Sequence, residues 1–135
     1  MIKAVTHVTR YVHDEEEALK FYRDVLGFEV NTDNSMGPGK RWLTVSAPAQ
    51  KNFEIVLYNP SSWEDNPEVR ERSLAQIGKQ AQLMVSTDDI DALHAKLQAN
   101  GVQVLHGIND MPWGRDMAFH DLYGNSIYAV QPKSA

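Results

Sequence analysis

The sequence contains no cysteine. Disulfides, thiolate metal sites and cysteine nucleophiles are excluded together, so any metal would have to be held by His, carboxylate or amide oxygen. Long apolar runs are missing as well. No stretch approaches the ~18 residues needed to span a bilayer, and Met1 leads at once into a strand-like segment instead of a signal peptide. The expected location is cytoplasmic, with no membrane partner. Positive charge is in short supply: 13 Lys and Arg stand against 18 Asp and Glu, for a net charge of −5. The basic residues are scattered and give no field to neutralise phosphates, so nucleic acid is not an expected partner. The glycine-containing stretch MGPGKR lacks the spacing of a phosphate loop and a helix after it, and no Ser/His/Asp order can be defended.

What the chain does have is a repeat. Its 135 residues, 42% apolar, suit one domain with a real core. Within it, EALKFYRDVLGFEV (residues 17–30) and DALHAKLQANGVQV (residues 91–104) share one pattern: an amphipathic helix, a glycine stop and a strand. Before the first copy, KAVTHVTRYV alternates as a half-buried strand. Asp14 follows as N-cap, Glu17 completes a capping box, and Ala18, Phe21, Tyr22, Val25 and Leu26 form the apolar stripe that ends at Gly27. FEVNT, RWLTVSA and FEIVLYN then read as strands. The second copy runs in the same order: AQLMVST, a cap at Asp88 or Asp89, Ile90, Leu93 and Leu97 before Gly101, then VQVLHG, RDMAFHD and SIYAVQ. The expected fold is α+β, with two tandem β-α-β-β-β modules, the first over about residues 1–60 and the second over about 79–132 of a single domain spanning 1–135. A linking helix over about 61–78 is capped by Asn66, opened by Pro67 and stopped by Gly78. Each helix covers one face of its sheet, and the remaining faces are expected to curl around a shared cavity as one mixed sheet.

The sequence is similar in these respects to the vicinal oxygen chelate superfamily, which includes glyoxalases, bleomycin-resistance proteins and extradiol dioxygenases. The resemblance rests on HVTRYVHDEEEALKFYRDVLGFEV, on DDIDALHAKLQANGV and on PWGRDMAFHDLYGNSIYAVQP, where the family's closing DPDGN turn stands as DLYGN. It covers nearly the whole chain and implies the fold more firmly than the reaction. It also implies a homodimer. In the metal-dependent members one ligand from each of four strands, commonly His, Glu, His and Glu, holds a divalent ion that chelates two substrate oxygens.

Carried over residue by residue, the first ligand position is His7, 20 residues before Gly27. The second lands on Ile55, with Glu54 beside it on the opposite face; the third is Gln82 and the fourth Tyr128. Such a set offers no carboxylate to a dication, so no metal or other cofactor is expected. If a divalent metal were bound, His7 with Glu54 or His120 would have to hold it. His7 is read as cavity-lining, with general-base use and an ordinary strand role both open. Gln82 and Tyr128 bond either each other and His7 or a ligand. Trp42 and Thr44 share one strand face, and Met84 shares one with Gln82, giving either a mixed pocket wall or plain packing. In the loop NDMPWGRD, which family members often place over the cavity mouth, Trp113 is a candidate for stacking and Arg115 for an anionic substrate group. The leading functional expectation is a binding protein for a small hydrophobic or aromatic ligand. The alternatives are a metal-dependent glyoxalase-like lyase or isomerase, or an extradiol-type dioxygenase, and an interaction module with a collapsed cavity.

Overall fold

The computed structural model describes residues 1–134. The chain divides into two compact units, residues 1–77 and the segment from Gly78 onward. Both are built on one plan, each on one mixed four-stranded sheet that is curled but not closed.

In the first unit, β1 (His7–Tyr11) leads into α1 (Glu15–Leu19), which continues as a π-helical stretch, Lys20–Val25. The Asp14 side chain accepts from the Glu17 amide at 2.8 Å, satisfying one of the free N–H groups at the helix start. Gly27 at φ +82° ends the segment in the conformation that glycine adopts without strain. Next come β2 (Glu29–Ser35), β3 (Arg41–Ser46) and β4 (Glu54–Tyr58). The sheet order is β1-β4-β3-β2, with β1 parallel to β4 and the remaining pairs antiparallel. α1 packs on β3 and β4, and the buried side chains Ala18, Leu19, Phe21, Tyr22, Leu43, Val45, Ile55 and Leu57 form the core on that side.

The expected linking helix is two short ones, α2 (Pro60–Trp63) and α3 (Pro67–Leu74). Asn59 and Asn66 cap them, accepting from Ser61 N at 3.0 Å and Glu68 N at 2.9 Å. The break has a simple cause: a residue preceding proline is disfavoured in the helical region, so each Asn-Pro pair restarts the helix. α3 ends four residues before Gly78.

The second unit repeats the plan with β5 (Leu83–Ser86), α4 (Ile90–Ala99), β6 (Val104–Met111), β7 (Gly114–His120) and β8 (Ser126–Pro132), in the order β5-β8-β7-β6. Of the two candidate caps for α4 it is Asp89 that serves, accepting from Ala92 N at 3.0 Å. Ile90 and Leu97 are buried, as are Met117, Phe119, Ile127 and Ala129 from the sheet. The DLYGN turn is held by Asp121, whose Oδ1 accepts from the Tyr123 and Asn125 amides, while Asn125 Oδ1 accepts from Gly78 N and Gln80 N. No described helix is long and apolar enough to cross a membrane.

Candidate functional site

Strand alternation divides the first sheet into a helix-covered face and an open one. The parallel register pairs His7 with Glu54 and Val8 with Ile55. Glu54 therefore shares the open face with His7, and Ile55, expected to line the pocket, is 4% exposed on the core side. This corrects the sequence alignment by one residue. The slip arises because the phase of β4 is set by its pairing to β1, anchored by the Glu54 amide donating to Thr6 O at 2.9 Å, and not by β4's own composition.

His7 Nε2 is 2.9 Å from Glu54 Oε2, and His7 Nδ1 is 2.7 Å from Thr6 Oγ1. A carboxylate can only accept, so His7 Nε2 is the donor to Glu54, while Nδ1 is engaged with the threonine hydroxyl. Both ring nitrogens are engaged, and His7 presents no free lone pair as a ready general base. Glu54 Oε1 accepts from Thr44 Oγ1 at 2.6 Å and from Thr32 Oγ1 at 3.3 Å. Thr44, expected to offer its hydroxyl to a ligand, is fully buried and spends that hydroxyl on Glu54.

Beside this polar patch runs a row of rings. His7 lies 6.4 Å from Trp42, Trp42 packs edge-on to Trp63 at 6.1 Å, Trp63 stacks on Tyr58 at 6.0 Å, and Tyr58 tilts against Tyr11 at 5.8 Å. Several of these rings are tethered at their polar ends. Trp63 Nε1 donates to Arg41 O at 3.2 Å and Tyr58 Oη donates to Glu64 at 2.8 Å. Burial, reinforced by the Glu64 carboxylate, pushes the Tyr58 phenol up to about 12. Lys40 Nζ stands 5.8 Å over the Trp63 ring. Tyr11, Tyr58 and Trp63 were not among the sequence candidates. Reading the alternation of β4 from Glu54 would have found Tyr58, and the Asn59-Pro60 cap announces the short helix that carries Trp63.

In the second unit the open face carries Met84 and its register partner Tyr128. Met84 is 68% exposed. Gln82 donates from its amide to Ser126 Oγ at 2.8 Å. Tyr128 Oη donates to Asp116 Oδ2 at 2.6 Å and accepts from Trp113 Nε1 at 3.1 Å. The bond to Asp116, more than burial, raises the phenol above its ordinary value, and the Trp113 bond opposes the shift. Gln82 and Tyr128 thus take separate partners. His120 lies on β7, paired with Ser126.

The segment NDMPWGRD is a hairpin: β6 runs to Met111 and β7 begins at Gly114, with Pro112 and Trp113 as the turn. Trp113 sits at its tip, 54% exposed. Arg115 belongs to β7 on the face opposite Asp116. It borders an open groove of about 610 Å³ with Met111, Pro112 and Lys133. Its guanidinium is bound to Asp91 of α4 at 2.7 and 3.1 Å and lies 3.5 Å from Asp110. Arg115, the candidate for an anionic substrate group, is thus already paired with one carboxylate and close to a second.

Among the described residues no group of three or more His, Asp or Glu side chains converges as a metal cluster. Sequence comparison matches residues 4–128 to the profile of the Glyoxalase/Bleomycin resistance protein/Dioxygenase superfamily. The uncharacterized protein YetH of Bacillus subtilis (strain 168) is 30% identical over 125 residues, covering 93% of this chain and 95% of YetH. Among solved structures, UcmS2 superposes with a TM-score of 0.81 at 30% identity, covering 96% of this chain and 98% of UcmS2. TnmS3, an antibiotic binding protein from Streptomyces sp. CB03234, superposes with a TM-score of 0.73 at 34% identity, covering 98% of both chains. With the two repeated β-α-β-β-β units in place and the family profile matched over almost all of its length, the chain belongs to the glyoxalase/bleomycin resistance protein/dioxygenase superfamily.

Proposed function

We propose that this protein binds a small, flat, hydrophobic or aromatic ligand without a metal, as a binding member of its superfamily. The observation that carries this reading is the row Tyr11, Tyr58, Trp63, Trp42 and His7 on the open face of the first sheet. Rings already fixed by tethers and by one another lose little freedom when a planar molecule stacks on them, so their area converts efficiently into affinity. The paired His7 and Glu54 form a polar border beside the rings. That TnmS3 is an antibiotic binding protein, at 34% identity, supports the same reading.

The donor set does not fit the family's divalent ion. Within the first unit only His7 and Glu54 are available, and their donor atoms are bound to each other and to Thr6, Thr32 and Thr44. The remaining family positions hold an amide, Gln82, and a phenol, Tyr128, each committed to a neighbour. A divalent site ordinarily needs at least three protein ligands and charge compensation from among them. The rival reading, a metal-dependent lyase or dioxygenase, has the His7–Glu54 contact in its favour.

The test is titration with flat aromatic and quinone probes, followed by tryptophan quenching, on protein treated exhaustively with chelator and on untreated protein. Binding that survives chelation and weakens in Trp63→Ala upholds the proposal. Binding or turnover that requires a retained metal would replace it with the rival.

A further inference from the structure

Asp116 lies on β7, on the open face of the second sheet with Tyr128, and is 5% exposed. One carboxylate oxygen accepts the Tyr128 hydroxyl at 2.6 Å. The other, Oδ1, has no hydrogen-bond partner among the described residues. An orphaned carboxylate oxygen out of water is costly, and it calls for a donor. Neither residue paired with it across the sheet donates to it. Its register partners are Val130, which is apolar, and Asn109, whose amide nitrogen is 3.3 Å from His106 Nδ1. The Tyr128 hydroxyl is saturated, donating to Asp116 and accepting from the Trp113 indole. What this face still offers is a carboxylate oxygen without a donor, on a sheet face that also carries the exposed Trp113 indole and Met84 thioether and the half-buried Tyr128 ring.

We propose that this patch is a subsite for an amine-bearing aromatic ligand, whose ring packs on Trp113, Tyr128 and Met84 and whose ammonium group donates to Asp116 Oδ1. This goes beyond the aromatic row proposed above: the patch belongs to the second unit alone and takes a ligand of its own chemical class. The indole at the hairpin tip moves off the Tyr128 hydroxyl to admit the ammonium, exchanging a bond between neutral groups for one between charged groups, which is about twice as strong.

The experiment is calorimetric titration of the full chain at neutral pH with 1-naphthylmethylamine, 1-naphthalenemethanol and 1-naphthoic acid, which share a ring and differ in the donor. The ammonium compound is expected to bind about tenfold or more tighter than the alcohol, as for a hydrogen bond between charged partners, and the carboxylate most weakly. Asp116→Asn should abolish that preference. Asp91→Asn, which removes an equal charge from α4, should keep it, separating local recognition from the chain's net charge of −5. Equal affinities in the wild-type protein, or a preference that survives Asp116→Asn, would overturn the subsite while leaving an aromatic binder. No binding of any of the three would overturn both proposals. The wild-type ranking alone decides the matter should Asp116→Asn fail to fold.

Discussion

His7 and Glu54 are register partners on parallel strands β1 and β4, and their side chains meet at 2.9 Å while Glu54's other oxygen holds the buried Thr44 hydroxyl. The pair is asymmetric. His7 sits at the sheet edge and Glu54 roots the contact in the interior, with side-chain exposures of 38% and 20%. Glu54→Ala is expected to cost about 1–3 kcal/mol, since it strands a fully buried hydroxyl, whereas His7→Ala is expected to cost under about 1 kcal/mol, as for an exposed pair. Urea unfolding of both variants and of the double mutant checks this. Equal losses from the two single mutants would mean that the carboxylate is held from the histidine side.

Tyr58 gives the protein an alkaline weakness. Its phenol keeps its proton to about 12 in the folded chain, against an ordinary value of 10.0, chiefly through burial and secondarily through Glu64. The unfolded chain therefore releases that proton first. Stability that is complete below pH 10 is lost as the pH rises towards 12. Denaturation midpoints followed across that window should fall more steeply in the wild type than in Tyr58→Phe. Tyrosinate absorbance at the same pH values should show one phenol fewer titrating late in the variant.

The hairpin that carries Trp113 depends on one glycine. Gly114 has φ +147°, and a Cβ there would collide with the carbonyl oxygen of Gln131 on β8. Gly114→Ala should destabilise the chain by at least about 1–3 kcal/mol, the usual cost of a forbidden backbone state. Gly107→Ala, in open space and without a positive φ, should stay within about 0.5 kcal/mol of the wild type. Thermal unfolding of the two variants side by side is the check.

Much of the fold was readable because its signals are local. Asp14 caps its helix as expected, Asn66 caps the helix opened by Pro67, and of Asp88 and Asp89 it is the second that caps α4, while Gly27 and Gly101 take the positive φ that ends such segments. The site was less readable because its decisive facts are pairings between distant segments. Whether Glu54 or Ile55 faces His7 depends on how β4 docks on β1, and a shift of one residue exchanges a carboxylate for a core side chain. Arg115 looked like an anion receptor because nothing near it in sequence reveals that Asp91, 24 residues earlier on α4, pairs with it. Asp116 carried no sequence signal at all: only burial beneath Tyr128 makes its second oxygen conspicuous.

That pairing of Arg115 with Asp91 makes a functional prediction of its own. If the guanidinium served an anionic ligand group, Arg115→Ala would weaken anionic aromatic probes selectively. Held instead by Asp91 at 2.7 and 3.1 Å on the helix side of β7, it should leave their affinity within about twofold, since an exposed, already compensated charge contributes little. Trp63→Ala, by contrast, removes the central ring of the aromatic row, which touches Trp42 on one side and Tyr58 on the other. It should weaken anionic and neutral flat probes alike by about tenfold, the loss typical of an anchoring aromatic residue. Quenching titrations of the two variants with one anionic and one neutral probe separate these cases: a selective loss in Arg115→Ala would relocate the site to the groove beside the hairpin, and a uniform loss in Trp63→Ala would fix it on the first sheet.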